Sequence, residues 1–177
     1  MAQEQKREFR KPRIQKPQER DDGFEKQNVH LRRTIKVVKG GRIMRFSSLT
    51  VIGDKKGKVA MGLGKAAEVP AAIEKANKAA KKDLIVVPIV NGTIPHEVIG
   101  KFAKTSVKML PSKPGSGLIA GGAARTVLEL AGYTDITAKI YGSTDKINVV
   151  RATLNGLKSL RTKEQVAMLR GKSVEEI

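Results

Sequence analysis

The chain contains no cysteine and no tryptophan. Without Cys there is no disulfide, no thiolate metal ligand and no thiol nucleophile. Histidine occurs only as His30 and His96, far apart in sequence. Zinc sites and Ser-His-Asp chemistry therefore have almost no raw material. The 17 Asp and Glu residues are scattered, and no pair is placed for acid–base work. Aromatics are equally scarce: Phe9, Phe24, Phe46, Phe102, Tyr133 and Tyr141. Proteins that bind single strands stack bases on aromatic platforms, and this chain has too few for that. No apolar run approaches the ~18 residues of a membrane span, and the N-terminus lacks the apolar stretch of a signal peptide. We expect a soluble, intracellular, basic protein without a metal site or membrane contact.

Positive charge is what the chain has in excess. Lys and Arg number 35 among 177 residues, giving a net charge of +18 and a pI near 10.3. Such a surface repels itself unless an acidic partner neutralises it. The hydrophobic content of 40% is enough for a packed core. The length fits one large domain or two small ones. Charge is also unevenly placed: residues 29–82 hold 14 basic and 3 acidic side chains, against 13 and 8 in residues 83–177. Solubility alone needs a net charge of only ~2–8, so the clustering points to a face built for phosphates.

Residues 1–28 are polar, interrupted by Pro12 and Pro17, and read as a disordered basic arm. Val29, Leu31, Ile35 and Val37 then alternate with mostly polar residues as in a strand. Lys39-Gly40-Gly41-Arg42 reads as a hairpin turn, because Gly accepts the positive φ such turns need. Ile43–Ile52 and Val59–Leu63 are the next two strands, joined by the Gly53–Gly57 turn, and complete an antiparallel meander. A helix is expected over Glu68–Lys82, with Pro70 in its first turn and Val69, Ile73, Ala76 and Ala80 as its apolar stripe. Further on we expect strands at Leu84–Val90, Thr105–Leu110 and Ile136–Ile140 and a turn at Asn91-Gly92. Helices are expected at Gly121–Ala131 and Asp145–Leu160, and Thr162 to Gln165 forms a capping box before a short last helix. Two α+β units follow from this order.

Two glycine patterns could be taken for nucleotide motifs. Gly62-Leu63-Gly64-Lys65-Ala66-Ala67 fits a relaxed dinucleotide fingerprint, with Asp83 near the expected distance. Its strand belongs to an antiparallel meander, however, and Asp83 precedes the next apolar strand. We read it instead as a tight strand-to-helix turn that leaves Lys65 and helix N-terminal amides to meet a phosphate. Gly57 and Gly62 have P-loop spacing, but Leu63 stands where Lys is required. Gly115-Ser116-Gly117 and Gly121-Gly122 are read as places of close backbone packing. His30 and His96 are read as structural or phosphate-facing.

With few aromatics, the basic residues must act on phosphates and shape, which suits structured RNA or a DNA backbone. The candidate nucleic-acid-binding set is Lys36, Lys39, Gly40, Gly41, Arg42, Arg45, Lys55, Lys56, Lys58 and Lys65. The Lys39–Arg42 turn is its sharpest part, since two glycines allow close approach to a groove and cations flank them. Two other classes stay open on the residues alone: a nucleotide-dependent enzyme using Gly62–Ala67, and a DNA-coating architectural protein.

Several runs also resemble a known family. They are Lys39–Arg42, Leu49–Asp54, Gly62–Lys65, Glu68–Ile73, Ile119–Ala123, Tyr141–Ser143, Ile147–Thr153 and Arg170–Ile177. Together they look like the bacterial small-subunit ribosomal protein S-five family, in unbroken order over residues 29–177. The resemblance implies a double-stranded-RNA-binding-like domain over 24–87; it departs at the front and carries nothing over to the basic disordered arm, bounded at 1–23. It further implies a βαβ-type α+β domain over 95–170 and a tail over 171–177. It implies binding to small-subunit ribosomal RNA at the back of the body, stabilisation of head against body, and neighbours S-four and S-eight. It implies a part in decoding accuracy and in lining the messenger RNA entry path, in the cytoplasmic ribosome, for a non-enzymatic protein without cofactor or small-molecule substrate. The glycine hairpin of the family maps to Lys36–Arg42. The S-four side maps to the Gly115–Ala120 loop, with Gly115, Ser116, Gly117 and Ala120 as interface residues.

Overall fold

The structure is a computed structural model describing residues 23–173 and 176. Almost all of the expected N-terminal arm, and part of the tail, lie outside the described residues. Strands β1 (Glu25–Val38), β2 (Gly41–Gly53) and β3 (Lys58–Ala66) form the expected meander. Helix α1 (Val69–Ala80) follows, and the two-residue strand β4 (Ile85–Val86) adds to the free edge of β3. The order is thus three strands and a helix, and among the described residues no helix precedes β1. The strand expected over Leu84–Val90 is cut short. Val87 N–H turns to the Gly57 carbonyl at 2.8 Å, and Pro88 has no N–H to continue a ladder. Asn91 and Gly92 do form a tight turn, both with positive φ, closed by reciprocal bonds between Val90 and Thr93.

The second unit contains β5 (Val98–Phe102), β6 (Thr105–Pro111), β7 (Leu118–Ile119), α2 (Gly122–Ala131), β8 (Ile136–Gly142) and α3 (Lys146–Lys158). Its sheet runs β5-β6-β8-β7, antiparallel except for β7 beside β8. Helix α4 (Lys163–Arg170) begins with the expected capping box of Thr162 and Gln165.

Strand β5 has no obvious sequence signal, and the reason is Gly100. The inward residues are Val98, Gly100 and Phe102, while Ile99 points outward at 53% exposure. A Cβ on Gly100 would collide with the Ala152 carbonyl and lie 2.7 Å from Gly156 N, so α3 rests its backbone on the strand. Alternation is inverted because the buried face needs a residue with no side chain.

The same device corrects the reading of Gly62-x-Gly64. Both glycines lie inside β3 with ordinary extended backbone, not in a turn. A Cβ on Gly62 would overlap the Ala76 carbonyl, and one on Gly64 the Ala72 carbonyl. Helix α1 therefore packs through Ala72, Ala76 and Ala80, all fully buried, whereas Val69 and Ile73 sit at its flanks. Large apolar side chains cannot occupy a contact where backbones nearly touch.

The opposite face of the first sheet carries Leu49, Val51 and Val59. These join Val127, Leu128, Val150 and Leu157 in one continuous core spanning both units. The junction is also hydrogen-bonded. Lys55 N–H donates to the Leu130 carbonyl at 3.0 Å and Gly57 N–H to that of Ala131 at 2.9 Å. The β2–β3 turn thus satisfies the open carbonyls at the end of α2.

Candidate nucleic-acid interface

Strand β3 pairs with β2 only from Phe46 to Gly53. Beyond that, β1 and β2 continue as a bare two-stranded ribbon from Thr34 to Arg45, paired down to Val38 and Gly41. At ~3.3 Å per residue it projects roughly 15–20 Å past the sheet. The turn itself is Lys39-Gly40, and the positive φ falls on Gly41 (134°) rather than on Gly40. Residues 34–37 and 39–45 are all exposed.

Residues 32–45 include Arg32, Arg33, Lys36, Lys39, Arg42 and Arg45 and no carboxylate. Directly opposed residues of antiparallel strands share a face. The register therefore places Arg32, Thr34, Lys36, Ile43 and Arg45 on one side, and Lys65, opposite Ser47, extends that row. The other side carries Arg33, Ile35, Val37, Arg42 and Met44. Thr34 Oγ1 donates to the Arg45 carbonyl at 3.2 Å. Arg32 and Arg33 were not singled out from sequence. Their signal was present in the strand alternation, which sends neighbouring cations to opposite faces.

The structure brings Lys36, Lys39, Gly40, Gly41, Arg42, Arg45 and Lys65 into or beside the ribbon. It does not bring Lys55, Lys56 and Lys58 there. They lie beyond the other end of β2, whose twelve steps from Gly41 to Gly53 span roughly 40 Å. That turn is organised by Asp54, whose Oδ1 accepts from Lys56 N–H at 2.7 Å and Lys58 N–H at 2.9 Å. Burial works against the Asp54 charge, but the Lys58 and Lys56 amides and the Lys58 ammonium outweigh it and hold the carboxyl below its usual range. Lys55 is ion-paired to Glu25 at 2.6 Å, with both side chains more than half exposed.

The Gly115–Ala120 loop is open, which corrects the close-packing reading. A Cβ on Gly115, Gly117 or Gly122 would meet nothing, and only Gly121 is crowded, by the Ile140 side chain. Gly115 and Gly117 are needed for their positive φ, 83° and 72°. Asp135, missed from sequence, fastens this loop: its Oδ1 accepts from Gly117 N–H at 2.9 Å and its Oδ2 from Thr134 Oγ1 at 2.9 Å. The Gly117 amide, then the Thr134 hydroxyl, lower its carboxyl pKa. Gly115, Ser116 and Gly117 are exposed, whereas Ala120 packs against the core and Ile119 faces out. His96 is structural. Its Nε2 accepts from Arg161 N–H at 3.3 Å, and the tautomer that allows this puts a proton on Nδ1 facing the Glu97 carbonyl at 2.8 Å.

Two family models match the chain. One describes ribosomal protein S5, N-terminal domain, over residues 24–88; the other describes ribosomal protein S5, C-terminal domain, over residues 100–170. A protein of Ralstonia nicotianae named small ribosomal subunit protein uS5 is 50% identical over 166 residues, covering 94% of this chain and 96% of that one.

Proposed function

The chain belongs to the ribosomal protein S5 family, and on that premise we propose that its β1–β2 ribbon is the principal contact with small-subunit ribosomal RNA. As a ribosomal protein of the small subunit it is an RNA-binding structural component in translation and not an enzyme. The observation that carries the proposal is the ribbon itself: six cations and no carboxylate over residues 32–45, four of them on the exposed extension past the sheet. Phosphates neutralise such a surface and release counterions, while the two ribbon faces let backbone strands approach from either side.

We place the ribbon tip, Lys36–Arg42, against the RNA hinge between head and body, with the body of the protein at the back of the subunit. Gly40 has open space around it, so backbone approach there is unhindered. The three-stranded meander backed by α1 is our reason for keeping the likeness to a double-stranded-RNA-binding domain. We assign the exposed Gly115–Gly117 segment to a protein neighbour, S-four, and other loops of the second unit to S-eight. Through the first contact the protein influences decoding accuracy, and its ribbon side helps line the entry path of messenger RNA. Lys55, Lys56 and Lys58 form a separate cationic end, which we assign to a second RNA segment, with Lys55 exchanging its Glu25 partner for a phosphate.

Replacing both Lys39 and Arg42 by Gln tests the central claim in filter binding to a small-subunit ribosomal RNA transcript across a salt series. The slope of log Kobs against log[salt] should flatten by roughly two units, about one for each phosphate left without its cation. An unaltered slope would remove the ribbon from the interface. A preference for duplex DNA over RNA would favour an architectural DNA-coating role instead.

A further inference from the structure

A groove of about 770 Å³ lies between the two units beside the shared core, with Leu63 and Phe102 of its lining packed against that core. One wall comes from β3 and the segment after α1, including Lys82 and Asp83; the other comes from Phe102 of β5 and from α3. On α3 the residues Arg151, Asn155 and Lys158 line it, and their spacing of four and three puts them on one helical face. The Arg151 guanidinium carbon stands 4.9 Å from the Phe102 ring centroid, within cation–π range. That contact holds the guanidinium at the ring, and its N–H groups can serve a planar, bidentate anion. Asn155 is held in place by donating to the Lys101 carbonyl at 3.1 Å. Among the described residues no carboxylate forms an ion pair with Lys82, Arg151 or Lys158. Lys82 and Lys158 lie near helix C-termini, where the dipole alone favours a cation. Arg151 is in mid-helix, and the dipole gives no reason for it.

We propose that this groove is a second docking site for the sugar–phosphate backbone of ribosomal RNA. Arg151 takes one phosphate bidentately, and Lys82 and Lys158 take the flanking phosphates from opposite walls. The proposal rests on the RNA-binding function above but uses a different part of the fold. Leu63, on the β3 wall, is level with Leu49, roughly 25 Å along β2 from the ribbon turn. One cluster of phosphates cannot fill both places. Three cations against one carboxylate, Asp83, favour a polyanion over a mixed-charge protein segment.

The test uses the full chain, a small-subunit ribosomal RNA transcript and the same salt series. Lys82→Gln, Arg151→Gln and Lys158→Gln together should flatten the slope by roughly two to three units, additively with the Lys39/Arg42 pair. Arg151→Lys should keep the slope, because charge is retained, while weakening binding at fixed salt through loss of the bidentate fork. Should the triple variant fail to melt as a folded protein, the exposed pair Lys82→Gln and Lys158→Gln carries the test, with roughly one to two units expected. A wild-type slope in the groove variants beside a flattened slope in the ribbon pair overturns this proposal alone. Wild-type slopes in both overturn the RNA-binding assignment itself. Groove variants that bind RNA normally yet fail to enter reconstituted small subunits overturn the RNA occupant in favour of a protein segment.

Discussion

Substituting Gly62 by Ala tests the physical account of the first unit most directly. The added Cβ would lie 2.6 Å from Ala80 N and 2.9 Å from Ala80 Cβ, and it would overlap the Ala76 carbonyl oxygen. Comfortable contacts of this kind lie at ~3.5–4.0 Å, so α1 must retreat by roughly 1 Å. Two of these atoms are helix backbone, and no flexible side-chain end is available to yield. A retreat opens a gap along Ala72, Ala76 and Ala80, and a gap of ~0.5–1 Å forfeits a quarter to a half of the dispersion attraction there. Overpacking costs about 1–3 kcal/mol in general, and the rigid neighbour places Gly62→Ala near the upper end. At ~2–4 °C per kcal/mol for a chain of this size, the expected Tm drop is roughly 6–12 °C. Gly40→Ala is the control, since its φ is ordinary and nothing lies within 4 Å; its stability should stay within ~0.5 kcal/mol. Thermal melts followed by far-ultraviolet circular dichroism compare the two. The salt slope of RNA binding by folded Gly62→Ala should equal that of the wild type, because no cation is removed. Had the glycines served a phosphate cradle, the pattern would reverse, with stability kept and affinity reduced. Coincident melting of Gly62→Ala and Gly40→Ala would refute the close packing of α1 on β3.

Two further predictions concern the junction of the units. Leu128, fully buried in the shared core, should cost about 2–5 kcal/mol when replaced by Ala. Probes placed in the first and second sheets should then shift together in one urea transition; two separated midpoints would contradict a common core. Asp54→Ala should destabilise at neutral pH, because the folded carboxyl is held below its unfolded value. A lowered pKa contributes stability that is complete above the unfolded value near 3.8 and lost as pH falls through the folded one. The gap between wild type and Asp54→Ala in denaturant melts should therefore close as pH drops below about 4, and a gap independent of pH would count against the Asp54 turn.

Much of this architecture is legible in sequence wherever one face is wet and the other apolar. The meander, α2, α3 and the capped α4 all read correctly from period and caps. Legibility fails where glycine replaces a buried side chain. Gly100 hides β5, and Gly62 and Gly64 imitate a nucleotide motif while providing the floor for α1. Hydrophobic scales register the absent side chain as absent burial, so the tightest contacts in the molecule are the least visible. The candidate site shows a second limit. Lys55, Lys56 and Lys58 are near Arg45 in sequence, but an extended strand carries them to the other end of the sheet. Asp135 gave no local signal, because the amide it fastens lies eighteen residues earlier.

The ribbon shows how a strongly cationic hairpin keeps its register before any anion arrives. Every strand-paired cation in it faces an uncharged partner: Arg32 faces Ser47, Arg33 faces Phe46, Arg45 faces Thr34, Lys36 faces Ile43 and Arg42 faces Val37. Directly opposed side chains are ~4.5–5.5 Å apart, so opposed like charges would destabilise each pair. Nearer the chain start the pairing runs in a different frame, with Glu25 opposite Gly53 and Asn28 opposite Thr50. Continued outward, that frame would set Lys36 against Arg42 and Arg33 against Arg45. The irregularity between Asn28 and His30 shifts the frame by one residue and removes both clashes. It also leaves a two-residue loop at Lys39-Gly40, whereas the unshifted frame would leave the three residues Val38–Gly40. Bulge, charge pattern and turn thus agree on one register, and the cations stand out to solvent as an array that an external anion can neutralise.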